Sequence, residues 1–171
     1  MDAMSSALRS ETTSRWFSWA IASQLCLGIY FELCAWVPLG AWNDQPGRAE
    51  PTTFGEWLFN LFFGLAPILF SLAFLKRIRP LMWLGLVFHA VWLALQVLGW
   101  WVPYLFGASP QHMEMYNRVF GRTYNFLPSF ENHPAPDAMH FILQMLLVAV
   151  VVSCAGALLR GREHARAWGS T

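Results

Sequence analysis

Residues 16–42, WFSWAIASQLCLGIYFELCAWVPLGAW, decide the fold. The stretch exceeds the roughly 20 apolar residues that cross a 30 Å hydrocarbon core. It is too long for the core of a cleaved signal peptide and follows a mixed polar leader, so it reads as a retained spanning helix. Its single ionisable carboxylate, Glu32, lies well inside the apolar run. A charge at such depth costs roughly 2.5–3.5 kcal/mol on insertion scales, so it ordinarily faces a bundle interior, a partner or a ligand.

Three further runs of similar length, 54–75, 81–106 and 137–159, follow along the chain. Together they predict an all-α, integral membrane four-helix bundle occupying 1–171 as one domain. With 56% hydrophobic residues and only 12% charged, the composition fits a multi-pass protein rather than a water-soluble globule. The net charge of +1 offers no electrostatic case for nucleic acid.

Basic residues set the expected orientation. Arg9 and Arg15 precede the first helix, Lys76, Arg77 and Arg79 fill the second turn, and Arg160, Arg162 and Arg166 follow the fourth helix. The segments on the other side carry Arg48, Arg118 and Arg122. This bias predicts a plasma (cytoplasmic) membrane protein with both termini cytoplasmic. Trp16, Trp42, Trp57, Trp83, Trp100, Trp101 and Tyr104 near helix ends read as an interfacial aromatic belt.

Local signals mark the boundaries. Thr53 and Glu56 have capping-box spacing before the second helix. Between helices 3 and 4, Ser109, Pro110 and Gly121 outline a short interfacial helix, with Met113, Tyr116, Val119 and Phe120 on one face and Glu114 and Arg118 spaced as an i,i+4 pair. The remainder of 107–136 carries Pro128, Pro134 and Pro136 and reads as a stiff outer lid. Asp137 follows at the helix 4 start, where an acidic side chain favours the positive helix end.

At about 1.5 Å per residue, Glu32, Asn60, Gln96 and Gln144 fall near one level in the outer half of the bilayer, one from each helix. His89, Trp92, Gln96, Trp100 and Pro103 share one stripe of helix 3, and His140 and Gln144 share one on helix 4. Turning these stripes inward would make one polar, aromatic-walled chamber opening outward, although such amides also serve as plain interhelical glue. His140 is the expected partner of Glu32. The lid adds Tyr124, Asn132 and His133, and Arg118 and Arg122 suit an anionic head group.

Thiol–disulfide chemistry lacks its cysteine pair: Cys26 and Cys34 are about 12 Å apart along one helix, and Cys154 lies deep in another, so all three read as packing residues. His89 and His140 fall on opposite sides of the midplane, which argues against haem. His112, Met113 and Met115 would suit a soft metal, but such residues on an amphipathic helix more often pack, and no metal or cofactor is assigned.

The leading reading is a pocket centred on Glu32 that binds a small amphipathic or lipid-like molecule. A membrane-embedded enzyme would use Glu32 as general acid or base, with His140 and Asp137 as relay and Asn60, His89, Trp92, Gln96, Trp100, Tyr104 and Gln144 around the ligand. The alternatives are a proton-coupled small-molecule transporter and a non-catalytic structural subunit. Partners beyond the bilayer and the ligand would be a second copy or a larger membrane complex.

Overall fold

The computed structural model describes residues 2–45 and 53–168, with side chains described for 11–45 and 53–161. Arg48 and the side chains of Arg9, Arg162 and Arg166 therefore lie outside the described residues. The fold is all-α. Its helices are α1 (Asp2–Trp36), α2 (Phe54–Leu75), α3 (Arg79–Gln96), α4 (Val102–Phe106), α5 (Pro110–Phe120) and α6 (Ala138–Trp168).

Among the described residues, four segments are long and apolar enough to cross a membrane: Glu11–Trp36, Phe54–Leu75, Arg79–Phe106 and Ala138–Gly161. They close a four-helix ring in which α1 packs on α2 and α6, and α3 packs on the same two. Leu33, Phe62, Leu69, Val91, Leu98 and Val152 all point outward from it. Exposed apolar residues on all four spans suit a bilayer and not water, so the architecture is compatible with a membrane protein.

The helix boundaries differ from expectation in three places. The first helix starts at Asp2 and ends at Trp36, not 42, because Pro38 cannot continue it; Gly40–Trp42 forms a separate 3-10 turn. Asn43, 1% exposed, seals that end: its Nδ2 donates to Cys34 O and Val37 O at 2.9 and 2.8 Å, and its Oδ1 accepts from Leu39 N at 2.8 Å. The fourth helix runs past 159 to Trp168.

The third span is not a uniform helix. Val97–Trp101 is a π-helical turn between α3 and α4. Such a turn shifts the register of everything beyond it and often accompanies functional sites.

The capping box forms as its spacing requires: Glu56 N donates to Thr53 Oγ1 at 3.2 Å, and Thr53 N donates back to Glu56 Oε2 at 2.8 Å. The Ser109 cap also forms, donated to by His112 N at 3.3 Å. On α5 the expected face, Met113, Tyr116, Val119 and Phe120, turns inward, with Tyr116 buried. Glu114 and Arg118 stay exposed, and no ion pair joins them.

The α1–α2 crossing is close because it is built on glycine. A Cβ on Gly28 would lie 2.8 Å from Gly64 O and 2.8 Å from Ile68 Cγ1. At the opposite edge of α1, Gly156 of α6 makes room for the Trp16 ring. Small residues that let backbones approach are the usual device where lipid removes any hydrophobic drive between helices.

The two ends of the bundle are distinct. At the terminal end, Arg77 lies over the Phe17 ring at 4.5 Å and Arg79 Nη2 donates to Gly161 O at 3.5 Å. At the loop end, 37–45 and 107–137 join through Tyr124 N to Ala41 O, 2.7 Å, and an Arg122–Asp44 ion pair, 3.0 Å.

Candidate functional site at the loop end

Asp137 immediately precedes helix α6, whose first turn leaves backbone N–H groups without helical partners. Asp137 Oδ1 accepts from His140 N at 2.7 Å, the expected cap. The same oxygen accepts from His140 Nδ1 at 2.8 Å. A carboxylate only accepts, so against an ionised Asp137 the donor of this contact is Nδ1. Asp137 is wholly buried, and its Oδ2 has no partner.

Aromatic rings fix the imidazole on its sides. Trp100 lies 4.1 Å from it, tilted by 32°, and Phe120 meets it edge-on at 5.1 Å. The π turn places two successive indoles against α6: Trp100 on His140, and Trp101, whose Nε1 donates to Gln144 Oε1 at 2.6 Å. The His140 side chain keeps 14% exposure.

The lid supplies the next layer. Tyr116 OH donates to Ala135 O at 2.9 Å and accepts from Asn125 Nδ2 at 3.1 Å. Burial holds the Tyr116 hydroxyl above its ordinary titration range. Asn125 Oδ1 is buried without a partner, a second unfilled acceptor in this layer beside Asp137 Oδ2. Tyr124 donates its N–H to Ala41 O and accepts from Ala138 N at 2.8 Å, so the lid is pinned to the 37–45 segment and to the start of α6. His133 Nδ1 donates to Tyr104 O at 2.8 Å, while Asn132, at φ 59°, turns the chain on the exposed surface.

The anticipated chamber around Glu32 is replaced by packing. Trp92 is ringed by Phe31, Phe63 and Phe88 at 5.5, 4.8 and 5.9 Å, which fills the space between α1, α2 and α3. Glu32 and His140 do not pair. The Glu32 carboxylate instead accepts from Trp36 Nε1, one turn on along α1, and its Oε1 lies buried over Gly64 with no partner. His89 is buried, its Nδ1 donating to Gly85 O at 2.6 Å and its Nε2 unpartnered. Gln96 keeps a buried, unpartnered Oε1, Asn60 is half-buried on α2, and Gln144 is taken up by Trp101. Arg118 stays exposed, and Arg122 holds Asp44. Cys154 is buried as a packing residue should be, whereas Cys26 is exposed and Cys34 half-buried.

A small apolar cleft of about 210 Å³ opens between Trp42, Tyr124, Phe126, Ala138, Phe141 and Ile142. By helical geometry, about 100° per residue, Ala138 and Ile142 lie on the opposite side of α6 from His140. Tyr30 closes the α1 side, its OH donating to Met139 O at 2.9 Å and accepting from Trp42 Nε1 at 3.2 Å.

The expected site residues thus divide. Asp137, His140 and Trp100 come together with Tyr116, Phe120 and Asn125; Glu32 stands apart on the α1–α2 crossing. The Asp-x-x-His spacing was the available signal for the first group, while Trp101 and Asn125 had none. No protein-family model, curated protein or solved structure matches the chain.

Proposed function

We propose that this chain is an integral membrane protein that binds and acts on a small amphipathic molecule at its loop end, with His140 as general base and Asp137 as its orienting carboxylate. The observation that carries the reading is the buried Asp137–His140 contact of 2.8 Å beneath Trp100 and Phe120. A carboxylate on Nδ1 fixes the tautomer, steadies the ring and stabilises the imidazolium formed when Nε2 takes a proton. Trp100, half-buried at the helix end, offers an approach for a molecule that is part apolar and part polar. The distribution of Lys and Arg supports cytoplasmic termini in a plasma membrane, which would place this site on the outer face.

The test is turnover in nanodiscs prepared with the expression host's total lipid extract, followed by mass spectrometry of the lipids over time. His140→Gln and Asp137→Asn should lower turnover at least about a hundredfold, the usual worth of a positioned base, with helicity unchanged, while Glu32→Gln leaves it intact. Turnover indifferent to His140 sinks the proposal.

Proton-coupled transport is the second reading, favoured by the unpartnered Glu32 oxygen inside the apolar zone. It requires flux driven by a pH gradient and abolished in Glu32→Gln. If neither turnover nor flux is found, a structural subunit of a larger complex is what remains.

A further inference from the structure

A second opening lies far from His140, on the terminal half of the α1–α6 seam. It is a groove of about 430 Å³, walled by Arg15, Trp16, Trp19, Ser23, Val152 and Ser153. Its volume falls within the range of small-molecule sites, about 300–1,000 Å³. The walls are fixed in place. Trp16 rests on Gly156, where any Cβ would collide with the ring, and the Ser23 and Ser153 hydroxyls meet at 2.9 Å across the seam. Each serine also contacts its own helix, Ser23 Oγ to Ala20 O at 3.3 Å and Ser153 Oγ to Val150 O at 3.1 Å, so the polar floor is internally satisfied.

The groove changes character along its length. In order along α1 it is lined by Arg15, the indoles of Trp16 and Trp19, and then Ser23, with Ala149, Val152 and Ser153 of α6 on the other wall. From Arg15 to Ser23 is eight residues of α1, about 12 Å along the axis, close to the depth of one hydrocarbon leaflet. Trp19 and Val152 are 67% and 53% exposed, so the groove opens sideways toward the surrounding lipid.

We infer that this groove seats one anionic phospholipid of the leaflet at the terminal end, its acyl chain along Val152 and its phosphate on Arg15. Arg15 is paired with Glu11 at 2.6 Å, but both side chains are largely exposed, and a guanidinium has donors to spare for a phosphate. The order along the groove, a guanidinium, two indoles and then Val152, matches the charged, interfacial and acyl parts of a phospholipid, whereas the apolar helix face of a second copy would match only the inner part. The inference does not rest on the function proposed for His140.

Native mass spectrometry of the protein released from nanodiscs of phosphatidylcholine with one-fifth phosphatidylglycerol tests it. The wild type should retain a single phosphatidylglycerol in preference to phosphatidylcholine. Arg15→Gln should reduce that preference about fivefold, the worth of one basic side chain at an anionic surface. Val152→Trp, which fills the lipid-exposed wall, should remove the bound lipid of either kind while the far-ultraviolet circular dichroism is unchanged. Equal retention of the two lipids by the wild type, or retention indifferent to both substitutions, overturns the assignment. So does a dimer that Val152→Trp dissociates, because the groove would then be an interface between copies.

Discussion

Asp137 and Glu32 are both carboxylates withdrawn from water, one at the start of α6 and the other near the end of α1. Asp137 meets two N–H donors of His140 at 2.7 and 2.8 Å at a helix N-terminus, where backbone donors are free and the helix dipole is positive. Glu32 lies one turn from the C-terminus of its helix, where N–H groups are already used and the dipole is negative; its one donor is Trp36, and Oε1 has none. The same functional group is thus a structural asset at one end of a helix and a burden at the other. A burden that persists in an apolar zone is a reason to look for function, while an asset carries an ordinary explanation alongside any chemistry.

Four substitutions sharpen or break this contrast. The largest effect is expected at the crossing that brings Glu32 over α2. Gly28→Val should destabilise by about 3 kcal/mol or more, because its Cβ meets the backbone oxygen of Gly64 as well as the Ile68 side chain; unfolding in mixed micelles measures it. Asp137→Ala should lose about 2 kcal/mol in the same assay, through the cap and the imidazole partner together.

Glu32→Gln is expected to move the other way, raising stability by roughly 1 kcal/mol as the unsatisfied charge is removed. If it is instead destabilising, Glu32 has a partner that the four helices alone do not provide, and the contrast fails. The smallest effect belongs to Arg122→Ala, at most about 0.5–1 kcal/mol, since the Arg122–Asp44 pair is exposed on both sides. A double-mutant cycle with Asp44→Ala isolates it.

Much of this was legible in the chain. The spans follow from unbroken apolar runs, and the caps at Thr53, Ser109 and Asp137 from spacings whose physics is local. Of the stripe expected on the third span, His89, Trp92 and Pro103 are buried and Gln96 and Trp100 half-buried. What the residues did not disclose depends on packing between distant segments. Depth counted along straight helices put Glu32 level with His140, but it could not reveal that Phe31, Phe63 and Trp92 fill the space where a chamber was expected. Nor does anything in VLGWW announce a π turn, which is decided by whether Trp100 and Trp101 both gain contacts on α6. Asn43 was readable only as a loop residue, because its three bonds depend on how the chain turns after Pro38.

The anchorage of the lid is written largely in main chain. Tyr124 gives its N–H to Ala41 and takes one from Ala138, joining the turn after α1 to the start of α6 through a single residue, while its ring remains exposed. Evolution is therefore free to repaint the lid's outer side chains without loosening it, and the one kind of change that such a latch forbids is proline at 124 or 138.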